Sequence, residues 1–335
     1  MTPLVSVIIP CFNAEAWVAE AIDSVLEQTY QSLEIIVIDD GSSDRSLSII
    51  QSYGAAVRWR SISNQGANHA RNLGFSLARG KYIQYLDADD YLLPKKIAQQ
   101  VKYLEKSNHN QDFVYSDWRY QHHLEHQEPT LGAIRKCGDK TDFLWSLLAN
   151  DRWSNLAPML FTRSILAKVS WDTTLPAAQD RDYLISLLLA GGQGGYWPGC
   201  QAIYRLHGAT SVSTSSKLRW FLAHCQVMTK AEKKLQEQGQ FLPQYQQALA
   251  RAYWEMGQEY LYSFCRPEPQ NHKIVSQTVN YQIYAQALDK VNQLAPQLLT
   301  CDKSLLYRLF HRCFGYQRVA RLSYLWHSTR ASLAL

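Results

Sequence analysis

The chain has 335 residues, 46% of them hydrophobic and 19% charged. That composition supports a packed core and excludes intrinsic disorder as the overall state, and at about 100–200 residues per domain the length suggests two domains. The net charge of +5 lies wholly in residues 301–335, where Lys303, Arg308, Arg312, Arg318, Arg321 and Arg330 face Asp302 alone. A nucleic-acid binder should line a folded face with its basic residues, so that class is set aside. No apolar run approaches the roughly 20 residues of a membrane span, and the N-terminus lacks the basic start of a signal peptide. Seven cysteines, an odd number without a C-x-x-C pair, argue against a zinc or disulfide framework. They point to a reducing, cytoplasmic setting with free thiols.

In chain order, Val5–Pro10 is a continuous apolar run suited to a strand buried on both faces. Apolar residues at helical spacing follow over 15–28. Glu34–Ile38 predicts a second strand, ending in Asp39-Asp40-Gly41. Ser43 is placed to cap a helix over about 44–52. Val57–Ile62 predicts a third strand, and a helix over about 67–78 follows Asn64-Gln65-Gly66. Lys81–Leu86 predicts a fourth strand, ending in Asp87-Ala88-Asp89-Asp90. Pro94 opens the next helix, and Phe113–Ser116 is a fifth strand. The alternation implies an α/β domain, a mainly parallel sheet with helices on both faces. From about residue 217 helical patterns dominate, with the boundary near Ser213–Ser216. Tetratricopeptide-like traces in Ala252–Tyr260 lack the three repeats that architecture needs.

Ligands bind beyond the carboxyl ends of strands in such sheets, and there this sequence is acidic. Asp87 and Asp89 alternate as the chain leaves a strand, so both carboxylates can face one hard cation. Mg²⁺ or Mn²⁺ would take such oxygen ligands and leave positions for diphosphate oxygens. Asp90 is read as the cap of the next helix or as a further acidic group.

Four ordered segments resemble glycosyltransferase family 2, an inverting family with the GT-A fold. They are Val5–Asn13, Val37–Asp44, Asn64–Asn72 and Tyr85–Asp90, and the whole resemblance covers about Val5 to Ser213. It implies a Rossmann-like nucleotide-sugar-binding domain over 1–215, with a donor half over about 1–110 and an acceptor half over about 111–215. Residues 216–335 form a helical extension with a basic amphipathic tail. The resemblance implies that Asp39 meets the nucleotide base and that Pro10, Asn13 and Asp40 shape its pocket. Asp87 would reach the ribose or sugar, and Asp89 would bind the metal. Arg71 is either a donor-binding residue or a salt-bridged surface arginine.

In the acceptor half, Ala178-Gln179-Asp180-Arg181-Asp182-Tyr183 opens a helix and resembles the family's Glu-Asp motif. Asp180 matches its presumed base, with a plain helix N-cap as the alternative, and Gln179 replaces the Glu. Asp182 is the alternate base or a helix-dipole partner. Tyr204-Arg205-Leu206-His207 resembles the family's Tyr-Arg-x-His segment. It implies that Arg205 and His207 meet diphosphate or metal as a loop closes. At most one of Trp153, Trp171 and Trp197 is expected to stack on sugar. His122-His123-Leu124-Glu125-His126 reads as a solvated loop, and Gly191–Gly195 as a turn.

The tail over 303–330 can lie on an anionic membrane surface or dock on its own domain. The resemblance favours the membrane, because many such enzymes glycosylate lipid-linked acceptors. The expected function is transfer of a sugar from a nucleotide-diphosphate sugar to a saccharide or lipid-linked hydroxyl. Its setting would be surface polysaccharide or glycolipid synthesis, in the cytoplasm or on the inner face of the membrane. The alternatives are a sugar nucleotidyltransferase and an inactive scaffold. The missing glycine-rich basic loop after strand 1 argues against the first, and the intact Asp87, Asp89 and Asp180 against the second.

Overall fold

The computed structural model describes residues 2–106, 111–123, 127–138, 142–149, 155–207, 216–263, 287 and 289–295. The chain divides into two compact units: 1–143, 152–175 and 179–211 form one, and 144–151, 176–178 and 212–335 the other.

The first unit holds a nine-stranded sheet. Its strands are β1 (Val5–Cys11), β2 (Leu33–Asp39), β3 (Arg58–Ser61), β4 (Tyr82–Tyr85), β5 (Tyr91–Leu92), β6 (Phe113–His123), β7 (Thr130–Arg135), β8 (Met159–Thr162) and β9 (Gly194–His207), in the order β3-β2-β1-β4-β8-β6-β9-β5 with β7 on β6. The first four strands pair in parallel, as does β6 with β9. β8 runs antiparallel to both β4 and β6. The helices α1 (Val18–Leu26), α2 (Ser46–Ser52) and α3 (Ala67–Leu77) follow β1, β2 and β3, and α4 (Lys96–Lys106) follows β5; α5 (Phe143–Leu148), α6 (Arg163–Leu166) and α7 (Gln179–Leu189) come later in the chain.

All seven residues of β1 are buried, and their period-two alternation covers both faces. Val5, Val7 and Ile9 share a cluster with Val18, Ala21, Ile22 and Val25 of α1. Ile8 points the other way, against α3, where a Cβ on Gly74 would collide with its Cγ2. Helices therefore flank both faces, as a parallel sheet needs. Pro10 sits where β1 still pairs with β2 but has passed the end of β4.

Some expectations need correction. α2 begins at Ser46, and Ser43 does not cap it; the Ser43 hydroxyl and N–H both reach Asn13 Oδ1. β5, β7, β8 and β9 are additional strands. β9 contains Gly194, Gly195, Pro198 and Gly199, which locally signal turns. Pairing with β6 overrides that signal, and the buried carboxylate of Asp117 satisfies the irregular stretch. It accepts from Cys137 N at 2.8 Å, Tyr196 Oη at 2.8 Å and Gly199 N at 3.0 Å. His122 and His123 belong to β6 rather than to a loop, because β6 pairs with β9 as far as His123↔His207. Leu124, Glu125 and His126 lie outside the described residues.

In the second unit, α8 (Lys217–Glu237) and α9 (Pro243–Ser263) bury Phe221, Met228 and Leu235 with Leu249, Tyr253 and Met256. The Thr229 and Tyr253 hydroxyls lie 3.0 Å apart. The tail over 303–330, Ser213 and Trp153 lie outside the described residues. The described cysteines 11, 137, 200 and 225 form no disulfide.

Candidate active site

The loops after β1, β2 and β3 converge through polar contacts. Asn13, left-handed at φ 48, joins the first two. Its N–H donates to Ser42 Oγ at 3.0 Å, and its Oδ1 accepts from Ser43 N at 2.8 Å. Asp39 is buried and accepts from Ser61 Oγ at 2.7 Å and Ser42 N at 3.3 Å. Asp40 fixes the next loop, with its two oxygens accepting from Gln65 N and Gly66 N at 2.8 Å each. Gly41 must be glycine: φ is +77, and a Cβ would meet Asn64 N at 2.9 Å. Burial pushes the Cys11 thiol up to about 12, so it stays protonated. Phe12 stands half-exposed beside Asn13.

Arg71 ties the donor-side motifs to the later part of the unit. It is buried on α3 and donates to Asp87 Oδ1 at 2.7 Å, Asn68 Oδ1 at 3.2 Å and Gln179 Oε1 at 3.3 Å. Its guanidinium lies 4.5 Å from the Trp171 ring centroid, and Trp171 stacks on Tyr183 at 4.0 Å. The surface salt bridge considered for Arg71 is thus corrected to a buried one. Trp171 is 3% exposed, and its faces are taken by Arg71 and Tyr183, which leaves none for sugar. Trp197 meets Tyr103 edge-on.

Asp180 lies inside the first turn of α7 (Gln179–Leu189) and is not its cap. Its Oδ1 is 3.9 Å from Arg71 Nη2, and its side chain is 18% exposed. Burial raises the carboxyl to about 6; Arg71 opposes the shift and Asp87 adds to it. Asp182 is buried, and on a helix a residue two places along faces elsewhere. Gln179 keeps a bond to Arg71 without a charge.

Asp87, Asp89 and Asp90 each offer a carboxylate oxygen within 4.8 Å of the others. Asp90 caps no helix. It is buried and accepts from Arg205 N in β9 at 2.9 Å. Burial, with Asp89 and Asp87 beside it, holds its carboxyl well above the ordinary range. Asp89 Oδ2 is 2.9 Å from His207 Nε2. Tyr204 belongs to the same cluster: burial and the charges of Asp90, Asp87, Asp89 and Asp180 all raise its phenol. The Arg205 guanidinium turns towards α1. It lies 4.7 Å from the Trp17 ring and 5.1 Å from Tyr91, with Nη2 2.6 Å from Glu20 Oε2.

Sequence reading did not single out Trp17, Glu20 or Asn68. Trp17 carried no local signal, because the helical spacing over 15–28 placed it inside the expected helix, whereas α1 begins at Val18.

Residues 6–163 match the family model described as glycosyl transferase family 2. This part of the chain belongs to glycosyl transferase family 2. An uncharacterized glycosyltransferase of Haemophilus influenzae is 33% identical over 223 residues, 62% of this chain and 66% of that protein. One of Rickettsia bellii is 34% identical over 194 residues, 54% of this chain and 26% of that protein. The chain thus spans about a quarter of that Rickettsia relative's length. TarS 1–349 of S. aureus, solved in complex with UDP-GlcNAc, has a TM-score of 0.68 at 16% identity, covering 95% of this chain and 90% of that one. That likeness shows the GT-A glycosyltransferase fold. The four opening motifs, apart from Val5, lie inside the matched family 2 segment. Asp180, Tyr204 and His207 lie beyond it, and α7 and β9 deliver them to the motif ends.

Among the described residues, no helix is long and apolar enough to cross a membrane.

Proposed function

We propose that the protein is a metal-dependent, inverting glycosyltransferase, moving a sugar from a nucleotide-diphosphate sugar to an acceptor hydroxyl. One observation carries the reading: the Asp180 carboxylate, raised to about 6, sits beside the Arg71–Asp87 pair that leads to the Asp87, Asp89 and Asp90 cluster. A base for the attacking hydroxyl and an acidic donor site thus share one connected group.

The cluster fits a divalent cation, because it gathers hard oxygen donors, the ligands Mg²⁺ and Mn²⁺ prefer. Asp89 and His207 would hold the ion, with Asp87 towards the donor. When bound, it would supply neutralisation of the departing diphosphate.

The remaining steps belong to the chain. Asp39, Asn13 and Pro10 form the floor for the nucleotide, and Asp40 holds the β3–α3 loop in place. Arg71 orients Asp87 and Asp180. Asp180, ionised above about pH 6, takes the acceptor's hydroxyl proton as the new C–O bond forms. The bond from the anomeric carbon to the phosphate oxygen breaks with its electron pair, and nucleoside diphosphate leaves. A single displacement inverts the anomeric centre. Arg205 stands one shell away, fixing β9 through Asp90.

The acceptor is proposed to be a saccharide or lipid-linked hydroxyl, in surface polysaccharide or glycolipid synthesis. The basic segment 303–330 would bring the enzyme to an anionic inner membrane face. A nucleotide-sugar panel with Mn²⁺, including UDP-GlcNAc, tests the reading by nucleoside diphosphate release. Release from one donor is expected. Pyrophosphate as the product instead would mark a nucleotidyltransferase, and silence across the panel with no Mn²⁺-dependent nucleotide binding would mark a scaffold.

A further inference from the structure

We infer that Trp17, braced by Glu20, is a positioning residue that sets His207 onto Asp89; the inference rests on the proposed metal reading. Trp17 is the residue before α1, at φ −128 and ψ −33, and makes no side-chain cap hydrogen bond. Ser, Thr, Asp or Asn there would stabilise the helix by about 1 kcal/mol, so helix formation does not explain an indole. Its contacts do.

The ring stacks on His207 at 5.0 Å and 28°, and meets His123 edge-on at 4.8 Å and 76°. It also lies 4.7 Å from the Arg205 guanidinium. Arg205 and His207 are alternate residues of β9 and share one face of it. One indole thus contacts both. Glu20, one helical turn on, places Oε2 2.6 Å from Arg205 Nη2. The contact is an ion pair outside hydrogen-bonding direction, since neither Nη1 nor Nη2 of Arg205 makes a hydrogen bond. Arg205 is therefore held by charge, by ring faces and by one hydrogen bond, from its Nε to Gln121 Oε1 at 3.4 Å. Its backbone N–H bonds Asp90 at 2.9 Å, and His207 Nε2 lies 2.9 Å from Asp89. The start of α1 grips the end of β9 on one side while the acidic cluster grips it on the other. Without the indole, the imidazole would be free to rotate off Asp89. Outer residues that orient metal ligands typically control affinity by about 10–100-fold.

The test is Mn²⁺ affinity, read by electron paramagnetic resonance of the free ion, for the full chain and its variants. Trp17→Ala should weaken Mn²⁺ binding about tenfold. Trp17→Leu, which keeps apolar bulk without a ring face, should do the same with an unchanged melting temperature, and Trp17→Phe should recover most of the affinity. In a His207→Ala background, Trp17→Leu should have no further effect. Wild-type affinity in Trp17→Leu, or the same loss in the His207→Ala background, would overturn the inference. Equal Mn²⁺ binding by the wild type and His207→Ala would overturn the metal role of His207 itself, and the positioning role with it.

Discussion

Arg71 Nη2 lies 2.7 Å from Asp87 Oδ1, an ion pair made by a buried guanidinium and a partly exposed carboxylate. The same nitrogen is 3.9 Å from Asp180 Oδ1, so one cation on α3 stands between the acidic donor loop and the proposed base. Lysine can keep the charge but not the fork that also reaches Asn68 and Gln179. Arg71→Lys should therefore lower kcat/KM by about 10²-fold through misplacement of Asp180 and Asp87. Steady-state kinetics checks this, and a loss below threefold would contradict it.

Asp180 predicts opposite effects on activity and stability. Its folded carboxyl is raised to about 6 from 3.8, chiefly by burial. The folded state thus holds the proton more tightly, and stability falls as pH rises from about 4 to about 6. Above that window the buried charge costs about 3 kcal/mol. Asp180→Asn should melt higher than the wild type at pH 7.5 in EDTA, and at nearly the same temperature at pH 4. Activity runs the other way: wild-type kcat/KM should rise with pH through an apparent value near 6. Scanning calorimetry and a pH–rate profile measure the two arms.

Gly41→Ala should destabilise the protein by about 2–4 kcal/mol. The substitution adds positive-φ strain to a contact with backbone at 2.9 Å that has no flexible end to move. Because Asp39 and Asp40 flank Gly41, nucleoside diphosphate binding should weaken as well. Denaturant unfolding and calorimetry check both effects.

Asp40→Asn should cost about 1–3 kcal/mol of stability. Both Asp40 oxygens accept backbone N–H bonds. An amide group in place of one oxygen would turn an N–H towards an N–H and leave a partly buried backbone donor unsatisfied. Urea unfolding measures it, and an unchanged midpoint would contradict the structural role.

The parallel core was legible because β1 is buried throughout and β2 in all but Leu33, and a continuous apolar run announces such a strand locally. The acidic groups Asp39 and Asp87 were legible for the same reason, standing at the ends of the runs that form β2 and β4. The second half of the sheet was not. β9 begins with Gly194-Gly195 and carries Pro198-Gly199, and its strand character comes from pairing with β6. That pairing also turns His122 and His123 from expected loop residues into strand residues. Asp90 looked like a helix cap from its neighbours, but its partner, the Arg205 N–H, lies 115 residues away in sequence. Trp17 and Glu20 showed only an amphipathic helix start, since the residues they hold arrive from β9. Local periodicity sees neither relationship.

The basic tail carries the membrane proposal. Deleting residues 303–335 should release the protein from vesicles containing anionic phospholipid and leave neutral vesicles unbound in both forms. Co-sedimentation at low and high salt reads it, and undiminished binding would place the membrane contact elsewhere.

The central claim is that Asp180 removes the acceptor proton. The most direct measurement compares wild type and Asp180→Asn, using the donor that the nucleotide-sugar panel identifies. Sugar transfer and Mn²⁺-dependent donor affinity are followed in parallel. Transfer should fall by at least about 10²-fold with the donor dissociation constant unchanged. Transfer at the wild-type rate in Asp180→Asn would contradict the account.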